Sequence, residues 1–138
     1  MQTQCSADLF GFAPVDRRPV QAAFDGGAIT SDAGGLLLGA TDRAIRLVER
    51  FATCFRDHRR PEVVEHAVET LGGQRIFGLV LVYEDLNDHD VLRHDPVMAL
   101  LVGKLEARRP DCAPMAGKST LNRLELSRST PSRYHKIT

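Results

Sequence analysis

The sequence predicts a mainly α-helical fold with a short β-hairpin near the N-terminus. Three observations support this. Apolar residues recur at helical spacing between Leu37 and Val82, helix-start signals such as Asp95-Pro96 punctuate the chain, and the clearest hairpin turn is Asp25-Gly26-Gly27. A chain of 138 residues is the size of one ordinary domain. Such a domain buries roughly 70% of its unfolded surface. The apolar fraction of 43% and charged fraction of 26% are those of a folded, water-soluble chain.

Residues 1–18 read as a loose lead-in. Val20, Ala22 and Phe24 then alternate with polar or small neighbours, and Ile29-Thr30 can return as the second strand after the glycine turn. Two strands alone are marginal in water, so the hairpin must lean on something else.

Ser31 or Asp32 can cap a helix running to about Ala52, with Leu37, Thr41, Ala44, Val48, Phe51 and Phe55 as its apolar stripe. Pro61 suits the first position of a second helix, and Glu62 and Glu65 complement its dipole. Val64, Val68, Leu71, Gly78 and Val82 continue the apolar face. Gly72-Gly73 costs about 1 kcal/mol per glycine relative to alanine, yet the periodicity through this pair still predicts a helix, weakened and open to bending there. Residues 96–109 (PVMALLVGKLEARR) read as a third helix, and STLNRLEL as a short one capped by Ser119. The last residues, 129–138, have no apolar period and simply stop.

The chemically suggestive stretch is Tyr83 to Pro96, YEDLNDHDVLRHDP. As an EF-hand loop starting at Asp85 it fails, because the sixth and twelfth positions are Asp90 and Pro96 instead of Gly and Glu. His89 and His94 are five residues apart and fall on different sides of a helix, unlike the two histidines of HExxH. A small metal-dependent hydrolase using Asp85, Asp88, His89 and His94 is therefore a minor alternative. Helix capping accounts for more of the letters: Asp95 before Pro96 joins an N-cap acceptor to a favoured first helical residue, and Asn87 or Asp88 can cap the turn over Asp90 to Arg93. Tyr83, Glu84, Asp85, His89 and Arg93 are left for a polar network or a partner.

Ala116-Gly117-Lys118-Ser119-Thr120 ends like a phosphate-binding loop, but the glycine required five residues before Gly117 is replaced by Cys112. Cys5, Cys54 and Cys112 are odd in number and widely separated, so neither a disulfide framework nor a zinc knuckle is expected. His58, His66 and His135 have no ligand-spaced neighbours. No signal peptide is evident, and no apolar run approaches the ~20 residues of a membrane helix, so a cytoplasmic location is expected. Formal charge sums to zero, yet from Lys104 onward eight cations face only Glu106, Asp111 and Glu125. Lys118, Arg123, Arg128, Arg133 and Lys136 are thus the candidate DNA-phosphate contacts, with a solubilising surface as the plainer reading.

The order FDGGAITSDAGGLLL, QRIFGLVLVYEDLNDHDVLRHDP, STLNRLE resembles the N-terminal part of bacterial insertion-sequence transposases whose full-length members carry a DDE domain of group 1. The resemblance covers about residues 20–128, with YEDLNDHD its most specific part; Gly72-Gly73 departs from it. It implies a ribonuclease H-like catalytic domain in which three acids bind a divalent metal, with magnesium the ion expected, for attack on phosphodiesters. That domain is expected downstream of Thr138, so the resemblance carries over no catalytic, cofactor or metal residue. Residues 19–128 are expected to be the helical N-terminal region and 129–138 a truncated tail. The expected role is transposon-end DNA binding or assembly, with a dimerisation or regulatory module as the alternative and self-association or the full-length transposase as further partners.

Overall fold

The structure is a computed structural model that describes residues 10–15, 18–22, 30–104 and 114–138. The chain is mainly helical. Strands β1 (Phe10–Val15) and β2 (Arg18–Ala22) are antiparallel. The turn expected at residues 25–27 and the return through Ile29 lie outside the described residues. Among the described residues there are six α-helices: α1 (Gly35–Ile45), α2 (Leu47–Ala52), α3 (Val68–Val80), α4 (His89–Leu92), α5 (Pro96–Leu101) and α6 (Lys118–Glu125).

The first expected helix is two helices. Arg46 sits in the left-handed region at φ 53°, and the Asp42 side chain caps α2 by accepting the Val48 N–H at 2.9 Å. Neither Ser31 nor Asp32 supplies a cap for α1; Gly34 occupies that position without a side-chain bond. The break also rotates the buried face. Leu37 is 74% exposed, and Thr41 and Ala44 are not buried either, so the expected stripe fails over α1. Gly35 and Gly39 are buried instead, against α5: a Cβ on Gly39 would lie 2.7 Å from Leu101 Cδ2. The side-chain-free surface is what lets the two helices approach.

Helix α3 occupies the centre and runs unbroken through Gly72-Gly73. A Cβ on Gly72 would stand 3.1 Å from the Phe51 ring, and one on Gly73 3.2 Å from Val48 Cγ1. The propensity cost of the glycines is therefore offset by the packing of α2 against α3, in which the buried Val48 alone is worth about 1.5–3 kcal/mol and the half-exposed Phe51 adds less. The helix expected from Pro61 is only a single 3-10 turn, Pro61–Val63, because Val64 is extended. Nor does Val82 continue the apolar face: it lies beyond the helix, 78% exposed, at φ 72°. Asp95 caps α5 as expected, accepting the Met98 N–H at 2.8 Å. That helix stops at Leu101, far short of residue 109, where Gly103 at φ 68° lets Lys104 N–H bond back to the Ala99 carbonyl at 2.9 Å.

Two apolar clusters flank α3. One joins Val48, Phe77, Met98, Ala99 and Met115; the other joins Leu71, Ala116, Leu121, Leu124 and Ile137. The second includes the tail, which does not simply stop. Arg56 and Thr138 exchange backbone bonds at 2.7 and 2.9 Å, and His58 N–H bonds the Lys136 carbonyl at 2.7 Å. This short antiparallel bridge seats Ile137, 4% exposed, in the core.

Candidate functional site

The acidic stretch is largely spent on internal contacts. Tyr83 donates its phenol proton to Asp32 at 2.8 Å, and that hydrogen bond holds the phenol above its usual pKa. The Tyr83 and Glu84 carbonyls accept from Arg75 at 3.2 and 2.8 Å, while the same guanidinium pairs with Glu125 of α6. Asp85 caps the 3-10 turn Leu86–Asp88 by accepting the Asn87 N–H at 2.8 Å, which lowers its pKa. For the turn over Asp90 to Arg93, Asp88 does occupy the N-cap position of α4, but its side chain makes no capping bond.

Asp90 of α4 reaches across to α6. Its Oδ1 accepts the Lys118 N–H at 3.1 Å and its Oδ2 lies 3.4 Å from Lys118 Nζ, which also donates to Asn87 at 3.0 Å. The backbone bond is the largest cause of the lowered Asp90 pKa. Ser119 is thus not the cap of α6. The helix starts one residue earlier, at Lys118, and takes its acceptor from another helix.

His89 is fully buried. Gln74 settles its tautomer. Gln74 Oε1 accepts the Ala116 N–H at 3.1 Å and Nε2 donates to the Ala116 carbonyl at 2.7 Å, which fixes the amide orientation; Nε2 then also donates to His89 Nδ1 at 3.2 Å. The ring proton resides on Nε2, which is buried and has no partner among the described residues. Burial lowers the His89 pKa. Asp85, Asp88, His89 and His94 consequently do not meet around a point: Asp85 caps a turn, and His89 is enclosed by Gln74 and the glycine face of α3. Among the described residues no group of three His, Cys, Asp or Glu side chains is arranged to hold a metal.

The cations are gathered elsewhere. Arg123, Arg133 and Lys136 line a cavity of about 280 Å³ together with Arg59, Thr120 and Tyr134, over a floor of Leu71 and Ile137. Helix α6 supplies Arg123, and the docked tail supplies Arg133, Tyr134 and Lys136. Arg59 is held in place by Asp57, whose two oxygens it engages at 2.8 and 2.6 Å, and by the His66 carbonyl at 2.9 Å. The hydrogen bond from Arg59 holds the Asp57 carboxyl below its usual range. Among the described residues no carboxylate pairs with Arg123, Arg133 or Lys136. Of the other two expected contacts, Lys118 is engaged by Asp90 and Asn87, and Arg128 is exposed outside the cavity lining.

A family model described as transposase DDE domain group 1 matches residues 12–136. The chain belongs to that family. Comparison with curated proteins returned no match, and neither did comparison with solved structures. Among the described residues of this transposase-family chain, no helix is long and apolar enough to cross a membrane. Sequence reasoning missed Arg59, Thr120 and Tyr134. Tyr134 carried a readable signal, an aromatic residue between Arg133 and Lys136; Arg59 carried none, because it reaches the cavity only through the bridge between residues 56–58 and 136–138.

Proposed function

We propose that this transposase-family chain binds DNA at the transposon ends and does not itself carry out the phosphodiester chemistry. The observation that carries the reading is the convergence of Arg123, Arg133 and Lys136 on one cavity. Phosphate contacts require flexible cations at reachable spacing, and they supply affinity and steering without base readout. The acidic stretch supports the non-catalytic part of the reading, since Asp85, Asp90 and Asp95 each accept a backbone N–H. The test is a gel shift with terminal-repeat DNA at two salt concentrations. Retardation at low salt that weakens at high salt is expected; no retardation at low salt rules the reading out.

Self-association is the second reading, favoured by Leu36, Leu37, Ile45 and Leu47, which are 46, 74, 51 and 43% exposed. Apolar side chains left open in this number suit an interface with a further copy or with full-length transposase. Sedimentation of a concentration series tests it, with a mass that stays monomeric throughout as the opposing result.

A further inference from the structure

The cavity that gathers the cations is not a plain basic surface. A duplex backbone needs only cations on an open face. Here three cations, without a carboxylate partner among the described residues, surround a recess whose floor is the apolar pair Leu71 and Ile137. Its volume of about 280 Å³ lies just below the range of small-molecule sites and is far too small for a duplex. Tyr134 completes the wall, and the residue is 72% exposed. The backbone that carries the ring is held in a turn: Ser132 Oγ accepts the N–H groups of Tyr134 and His135 at 3.3 and 3.0 Å, and Ser132 N–H bonds the His135 carbonyl at 2.7 Å. This tight turn presents Arg133 and Tyr134 together. A single exposed aromatic residue is ordinary on a protein surface; an aromatic ring lining one cavity with a cluster of cations is the arrangement that holds an unpaired nucleotide, with the phosphate on the cations and the base on the ring.

We propose that the cavity binds one unpaired nucleotide of a DNA single strand, its phosphate held by Arg123, Arg133 and Lys136 and its base stacked on Tyr134. The proposal rests on the DNA-binding reading above and narrows it, because stacking needs a base released from its pair.

The experiment measures fluorescence anisotropy of a labelled oligothymidylate and of a labelled duplex of equal length, with the wild-type chain and with Tyr134→Ala, Tyr134→Phe and Arg133→Ala. Stacking on an aromatic side chain is worth about 1–3 kcal/mol per base, so Tyr134→Ala should weaken oligothymidylate binding roughly 5- to 150-fold. Duplex affinity should stay within about twofold, Tyr134→Phe should retain single-strand binding, and Arg133→Ala should weaken both. Duplex binding combined with a Tyr134→Ala variant that changes neither affinity, or lowers both equally, overturns this inference alone and assigns the ring to another contact such as protein. Failure of the wild-type chain to bind either probe overturns the DNA-binding reading itself. Far-ultraviolet circular dichroism of the Tyr134 variants, exposed as the side chain is, should be unchanged.

Discussion

Gln74 and Ala116 hold each other through both bonds of a side-chain amide, the Gln74 Nε2 donating at 2.7 Å and its Oε1 accepting at 3.1 Å. Both residues are buried. This clamp fixes the entry of the chain into α6 against the middle of α3, and it also orients His89. Replacing Gln74 with Leu keeps the bulk but strands the Ala116 N–H and carbonyl away from water. An unsatisfied buried group costs about 1–3 kcal/mol, so Gln74→Leu should lose roughly 2–5 kcal/mol in urea unfolding. A loss below about 1 kcal/mol would mean that the buried groups find other partners and the clamp contributes little.

Gly78 lies under the His89 ring. A Cβ there would be 2.8 Å from His89 Cε1 and 3.0 Å from Nε2. Alanine is better than glycine in a helix by about 1 kcal/mol, so the propensity and packing effects have opposite signs. The ring is boxed in by its bond to Gln74, and overpacking typically costs about 1–3 kcal/mol. Gly78→Ala is expected to destabilise on balance, whereas the same change at an open helical site would stabilise. Thermal unfolding by calorimetry decides the sign.

Val82 holds the end of α3 in a conformation that suits glycine, at φ 72°, with its side chain 78% exposed. The Tyr83 N–H bonds back to the Gly78 carbonyl at 2.9 Å, which closes the helix end around it. A left-handed β-branched residue costs about 1–2 kcal/mol, and glycine loses part of that advantage through unfolded-state entropy. Val82→Gly should therefore raise stability by roughly 0.5–1 kcal/mol in the same unfolding assay. A destabilised variant would contradict the strain.

Acid should weaken the fold through buried histidines. Burial is the largest cause of the lowered pKa at both His89 and His66. Their folded pKa values therefore lie below the unfolded value of about 6.5, and between the two the unfolded chain binds more protons. The stability these neutral rings contribute is complete above pH ~6.5 and declines as pH falls below it, by up to about 1.4 kcal/mol per pH unit for each histidine. Urea midpoints measured from about pH 7.5 to 5 should fall, and His89→Leu should flatten that fall. A wild-type midpoint independent of pH in this window would contradict it.

Local signals were legible in the sequence and long-range ones were not. The helix through Gly72-Gly73 was readable because the apolar spacing continues across the glycines, and Asp95-Pro96 because both halves of a helix start are adjacent. The hinge at Arg46 left no mark: arginine is a good helix former, and the cap that makes the hinge comes from Asp42, within the preceding helix. Spacing counted through the hinge assigns α1 the wrong buried face, and glycines serve as its contact surface instead. Asp90 capping α6 and Ile137 sealing the second cluster join residues distant in sequence, so no window of the sequence holds both partners. For the candidate site, Arg123, Arg133 and Lys136 stand out by charge alone; the cavity that unites them depends on the bridge between Arg56 and Thr138.

The most direct test is the salt dependence of terminal-repeat DNA binding, compared between the wild-type chain and a variant carrying Arg123→Ala, Arg133→Ala and Lys136→Ala. Each phosphate neutralised contributes about 0.9 to the slope of log K against log salt concentration for duplex DNA. The cavity account predicts a shallower slope in the triple variant, by about 1 where the three cations share one phosphate and by up to about 3 where each meets its own, with a large loss of affinity at low salt. Equal slopes and affinities for the two chains would contradict it.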